Sequence, residues 1–210
     1  MIEFIGVQKK FGDNLVIDIK TFRLEDGVYW LQGINGSGKT TILRMIAGLI
    51  PFKGDILIDS VSQRRDSVVY RRKVSWADAE PLYPNFITGK DLVGLYKQVR
   101  KVGQTSIDLL IDLFQVKLFL SMPLGDYSSG MVKKLSLLLA FIGEPRLILL
   151  DEPLITLDKE SIPRVYEHIM SLHLKKKIGF IISSHQELSQ TLFPVDRKLL
   201  ISQGKIQLLQ

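Results

Sequence analysis

The rhythm of apolar and polar positions changes along the chain, and each change predicts an element. At the start, "MIEFIGVQKKF" and "LVIDIKTFRL" carry β-branched residues in rough alternation, with the turn-forming "FGDN" at their junction. Two paired strands are expected there. Residues 28–31 read as a short apolar strand and 33–38 as a tight loop. A helix over 39–49 should stop near Gly48 and Pro51, before a further strand in "GDILID". From residue 85 the spacing becomes helical. Thr88, with Asp91 three residues on, predicts an N-cap before "LVGLYKQV", and "SIDLLIDLFQV" repeats apolar residues at helical spacing. A helical insert over 85–124 follows, then a helix over 129–142 leading back to the apolar strand "LILLD". The remainder reads as a helix over 159–172, a strand over 178–183, a short helix, and a hairpin around Gly204. Apolar strands alternating with helices imply a mainly parallel sheet covered by helices.

With 210 residues, 46% of them apolar, the chain has material for one domain with a sizeable core. Cysteine is absent, which excludes a disulfide framework and cysteine–metal sites and suits a reducing compartment. The opening residues lack a basic segment followed by an apolar block, so no signal peptide is expected. The most apolar stretch, "LSLLLAFIG", is about half of the ~20 residues a bilayer span needs, so no membrane span is expected and the chain reads as soluble. The net charge of +6 would suit nucleic acid or an anionic membrane face. The positive residues are scattered, however, so a solvated basic surface is expected, and no nucleic acid partner. The one tight run, Lys175 to Lys177, stands where a helix should end and favours its negative dipole end.

Two stretches carry chemistry. In "GINGSGKTT", Gly33, Gly38, Lys39 and Thr40 fit G-x-x-x-x-G-K-[ST] between a predicted strand and a predicted helix. Small residues let the N–H groups of Asn35, Gly36, Ser37, Gly38, Lys39, Thr40 and Thr41 turn toward one anion, and the helix aims its positive end at the same place. Lys39 can reach β- and γ-phosphates, and the Thr40 hydroxyl can ligate Mg²⁺. In "RLILLDEP", a fully apolar strand ends in Asp151 and Glu152. Ligands of open α/β sheets bind at the carboxyl edge of the strands. Asp151 is therefore a candidate metal ligand, and Glu152, one residue further, a candidate base for an attacking water.

A third stretch selects among the machines that use such a loop. "DYSSGMVKKLSLLLA" precedes the acidic strand, "ITLD" follows it, "IISSH" ends the next strand, and "KKFG" lies near the start. In this order the segments resemble the nucleotide-binding subunit of an ABC transporter over essentially the whole chain. Tyr127–Met131 takes the place of the family's LSGGQ or YSGGM signature, "ITLD" that of its D-loop, and His185 that of its switch histidine. Phe11 takes the place of the aromatic that stacks on adenine.

The resemblance implies a P-loop NTPase of the α/β class. Its core sheet would be mostly parallel, with an N-terminal antiparallel β subdomain and a helical signature subdomain. The chain would divide into a core over 1–84 and 143–210 and a helical subdomain over about 85–142. The resemblance also implies an ATPase motor with ATP and Mg²⁺ as cofactors, and Glu152, His185 and Lys39 as its catalytic residues. Ser128, Ser129 and Gly130 would close over the γ-phosphate held by a second subunit, a copy or a paralogue. A separate transmembrane permease would supply the path, docking on the helical insert and residues 79–92. The chain would be cytoplasmic and peripheral on the inner face of the cell membrane. The signature form and short length point to exporter-like relatives, of the heme-exporter or ABC-2 type. Chromosome ATPases with the same head insert long coiled-coil arms before the signature, and no sustained heptads occur here.

Two departures from the family pattern stand out. Ser129 replaces a glycine, which predicts strain if that residue needs a positive φ. Ala79 stands where the family has a glutamine that touches Mg²⁺ and water. Slower or differently coupled hydrolysis is expected, with Asp78 or Glu80 as substitutes able to reach the metal.

Overall fold

The computed structural model describes residues 2–154, 157–184, 195 and 197–209. A hairpin of β1 (Ile2–Phe11) and β2 (Asn14–Leu24) opens the chain, with its turn in "FGDN" as expected. β3 (Val28–Gln32) runs through a loop into α1 (Lys39–Ile46). β4 (Lys53–Ile58) and β5 (Val61–Ser62) then return to β1, giving an antiparallel sheet of order β2-β1-β4-β5. α2 (Ser67–Lys73), a short helix that the sequence pattern did not predict, leads into β6 (Val74–Ala77).

The helical insert follows as α3 (Gly89–Arg100), α4 (Gln104–Phe114) and α5 (Ser129–Phe141). Thr88 and Asp91 form the expected capping box: the Thr88 hydroxyl accepts from the Asp91 N–H, and the Asp91 carboxylate accepts from the Thr88 N–H at 2.9 Å. An N-cap of this kind contributes about 1 kcal/mol. The chain returns as β7 (Leu147–Asp151), α6 (Ser161–Lys176), β8 (Gly179–Ser183), β9 (Arg197–Ser202) and β10 (Lys205–Leu209). α6 runs four residues beyond the expected stop, and Lys175 to Lys177 close it, with Lys177 left-handed at the C-cap. The expected short helix after β8 lies outside the described residues.

The second sheet has the order β10-β9-β3-β8-β7-β6, parallel except for the β9–β10 hairpin. Its central strands are apolar on both faces because both faces are covered. Val28, Trp30, Ile148, Leu150, Phe180 and Ile182 pack in one cluster with α3, α4, α5 and α6. Tyr29, Leu31, Leu147, Leu149 and Ile181 pack in another with α1 and the inner face of the antiparallel sheet, including Phe4, Val7, Ile17 and Ile56. This is the α/β architecture expected from the sequence. On α6, His168 is half-buried with its ring 5.6 Å from that of Phe141, and burial pushes its pKa below the ordinary value.

Candidate active site

The carboxyl edge of the parallel sheet brings together the phosphate loop after β3 and the acids at the end of β7. The loop is tight because Gly33 has no side chain: a Cβ there would lie 2.4 Å from Ser37 Oγ and 2.7 Å from the Ile201 carbonyl oxygen. Gly38, the residue before α1, sits at φ 104, in the left-handed region open to glycine. The turn aims the free N–H groups at the start of α1 into an open cavity of about 410 Å³. Phe11, Val16, Asn35, Gly36, Gly38, Lys39, Thr40 and Thr41 line that cavity. Phe11 is 53% exposed, so it belongs to the surface rather than to the core. The Lys9 ammonium lies 4.7 Å from its ring centroid.

Lys39 is buried, and its ammonium donates to the carbonyls of Gly33 (2.6 Å) and Ile34 (3.2 Å) across the mouth of the loop. Burial pushes its pKa below that of an ordinary lysine, and the carboxylates of Glu152 and Asp151 pull the other way. Thr40 Oγ1 donates to Asp151 Oδ2 at 2.8 Å, and Ser183 Oγ donates to Asp151 Oδ1. Asp151 is 1% exposed and pairs in register with Ser183 across β7 and β8. A hydroxyl and a carboxylate oxygen already in contact suit a hard cation such as Mg²⁺, which takes one or two protein oxygens and completes its shell with phosphate and water. Among the described residues no group of three or more His, Cys, Asp or Glu forms a metal cage. The donor set therefore fits an ion that arrives with phosphate.

Glu152 is 5% exposed and has φ 51, a left-handed conformation that a residue with a side chain adopts at a cost of about 1–3 kcal/mol. Its N–H donates to Ser183 Oγ at 3.1 Å. Sequence reasoning missed Ser183, because only the pairing of β7 with β8 brings it to the carboxylates. It also missed Lys133 of α5, which is buried among Asp151, Asp78 and Glu152. Its ammonium donates to the carbonyls of Asp78 (2.6 Å) and Asp151. Burial pushes its pKa down to about 8, against the opposing pull of those carboxylates and Glu80.

The signature residues occupy a different surface. Ser128 caps α5 by accepting from the Met131 N–H at 3.2 Å. Ser128 and Ser129 are exposed and Gly130 is half-exposed, at the free N-terminus of that helix. Ser129 is the first residue of α5 and does not have a positive φ, so the expected strain is absent. Asp78 is also not free to serve a metal: its carboxylate is bound by Arg44 of α1 at 3.0 and 3.1 Å. His185 and the first two residues of "ITLD" lie outside the described residues. Asp158, the last of that segment, accepts from both the N–H and the hydroxyl of Ser161 at 2.8 Å and so ties down the start of α6.

A family model described as "ABC transporter" matches residues 20–155 of the chain. The chain belongs to the ABC transporter family. Among its relatives is the uncharacterized ABC transporter ATP-binding protein YhcH of Bacillus subtilis. It is 29% identical over 209 residues, covering 98% of this chain and 68% of that protein. The cytochrome c biogenesis ATP-binding export protein CcmA of Legionella pneumophila is 31% identical over 190 residues, covering 90% of this chain and 94% of CcmA. An ATP-binding subunit of an ABC transporter shares the fold with a TM-score of 0.84 at 23% identity, covering 99% of this chain and 90% of that one. So does the cassette MJ0796, solved as a dimer in a post-hydrolysis state with ADP and Pi. Its TM-score is 0.82 at 16% identity, covering 100% of this chain and 99% of that one. The phosphate loop and Asp151 of this ABC chain both lie within the matched region, and among the described residues no helix is long and apolar enough to cross a membrane.

Proposed function

We propose that this ABC chain is the ATP-hydrolysing motor subunit of an exporter-type transporter. Two chains, copies or paralogues, would pair head to tail around two ATP molecules and drive a separate permease. The observation that supports the reading is the contrast between two helix N-termini. At the phosphate loop Lys39, Asp151 and Glu152 are buried and Thr40 is already bonded to Asp151, whereas the N-terminus of α5 at Ser128–Gly130 stands open at the surface. An exposed helix N-terminus beside serine and glycine is a second phosphate seat, which a second chain's nucleotide can fill. MJ0796, which shares the fold, was solved as a dimer bound to ADP and Pi.

In this reading the loop N–H groups from Asn35 to Thr41 and the Lys39 ammonium hold the triphosphate, and Phe11 stacks on the base. Thr40 and Asp151 hold Mg²⁺, which neutralises phosphate charge. Glu152 takes the proton of the attacking water, and His185 contacts the γ-phosphate. The core would comprise 1–84 and 143–210, and the helical subdomain about 85–142. Leu82 (94% exposed) and Phe86 (86% exposed) suit a docking face for the permease on residues 79–92. The chain would then sit at the inner face of the cell membrane. The likeness to CcmA favours an exporter.

Steady-state phosphate release from Mg-ATP tests the reading: the wild-type chain hydrolyses, and Glu152→Gln does not. Ala79 and Ser129 sustain one alternative, a nucleotide-dependent dimerisation module with weak or no hydrolysis. It predicts equal, near-background release from both proteins.

A further inference from the structure

Lys133 is a buried ammonium with no part in the roles assigned above. It stands four residues after Ser129, on the inward face of α5, and is 2% exposed. Burying a charge there is unfavourable relative to an apolar side chain, so its partners must repay the desolvation. Those partners are the main-chain carbonyls of Asp78 and Asp151. The two carbonyls end, or just follow, the adjacent parallel strands β6 and β7, at the edge where the phosphate loop lies.

The Asp151–Glu152 peptide is thereby held from both sides. Its carbonyl accepts from Lys133 and its N–H donates to Ser183 Oγ at 3.1 Å. The next residue, Glu152, is the one with the left-handed backbone, a conformation that persists only where its surroundings over-determine it. The other carbonyl belongs to the residue preceding Ala79. The Asp78 side chain, in turn, is bound to Arg44 in the helix that follows the phosphate loop. A single ammonium therefore joins the signature helix to the peptide that aims Glu152 and, through Asp78 and Arg44, to α1.

We propose that Lys133 is a positioning residue that lets the signature helix of each chain set the geometry of that chain's own catalytic strand. The inference rests on the head-to-tail reading. The N-terminus of α5 meets the partner's ATP, while Lys133, about one turn on, holds the chain's own Asp151 and Glu152. Closure at one site is thus felt at the other. Because Ala79 offers no side-chain polar group, the link runs through the main chain at Asp78.

The test is Lys133→Met, which keeps the length of the side chain and removes its donors. The wild-type chain should hydrolyse Mg-ATP with a Hill coefficient near 2, the number of coupled sites, and the variant with one near 1. Misplacing a catalytic group by about 1 Å costs up to ~100-fold, so kcat should fall about 10- to 100-fold. Affinity of the monomer for a fluorescent ATP analogue should stay within about twofold, because Lys133 touches no nucleotide-facing group of the loop. Should Lys133→Met fail to bind nucleotide, Lys133→Arg carries the test. It keeps the charge but moves the donors, and must lower kcat and cooperativity at unchanged affinity. Wild-type kcat and cooperativity in whichever variant binds nucleotide would overturn the inference, as would a wild-type Hill coefficient of 1. Failure of Glu152→Gln to dimerise on ATP would instead bring down the head-to-tail reading itself.

Discussion

The two helix N-termini to which the proposed function assigns phosphate differ in how completely they are built. At the phosphate loop, Thr40 and Ser183 both donate to Asp151, and Lys39 donates to two loop carbonyls. Lys39, Asp151, Glu152 and Ser183 are buried, which strengthens the interactions among them, while Asn35 and Gly36 of the loop stay open to solvent. At the signature, Ser128 caps its own helix and the following N–H groups face solvent. The first surface is organised for chemistry before any ligand arrives; the second is organised for display. A helix N-terminus in water is a weak anion site by itself, because water screens its dipole. It becomes strong when a partner surface covers it. Under the proposed function the contrast assigns nucleotide binding to one chain and hydrolysis to two.

Substitutions sharpen this contrast unequally. Glu152→Gln should remove the base and lower phosphate release about 10²- to 10⁴-fold while leaving nucleotide binding intact, read by steady-state release and by equilibrium binding. Lys39→Ala removes a charge-assisted contact to phosphate. Monomer affinity for ATP should fall about 10- to 100-fold, measured by titration calorimetry. Ala79→Gln restores the polar side chain that the family pattern has at this position. It should raise the hydrolysis rate a few-fold, and a large fall would count against the role given to that position. Ser128→Ala should leave monomer affinity unchanged and weaken ATP-dependent association. It should also cost about 0.5–2 kcal/mol of stability through the lost cap, read by denaturant titration. Ser129→Gly should be the mildest, changing hydrolysis by no more than about twofold, since Ser129 already has ordinary helical geometry.

The sequence conveyed the elements whose pattern is local. The phosphate loop is one continuous segment, and Asp151 and Glu152 follow an apolar run that can only be a buried strand. Thr88 and Asp91 carry their own capping chemistry. Information that depends on pairing was out of reach. Ser183 becomes relevant only when β8 lies in register beside β7. Arg44 removes Asp78 from the metal only when α1 and the end of β6 meet. Lys133 lay closer to view: Lys133, Leu137 and Ala140 follow helical spacing, and all three are buried, so a helical wheel places the lysine on the core face. The expectation that charge faces water hid it. The burial of His168 was out of reach for the opposite reason, since an isolated polar residue on an amphipathic helix gives no sign that an aromatic ring will cover it.

The central claim is that the site is completed by a second chain. Light scattering of the Glu152→Gln protein during size-exclusion chromatography tests it most directly. With saturating Mg-ATP the account predicts a particle of twice the chain mass carrying two ATP, which returns to monomer when nucleotide is withdrawn. A particle that binds ATP at full occupancy yet stays monomeric, alone and with every paralogous subunit offered to it, would contradict the account.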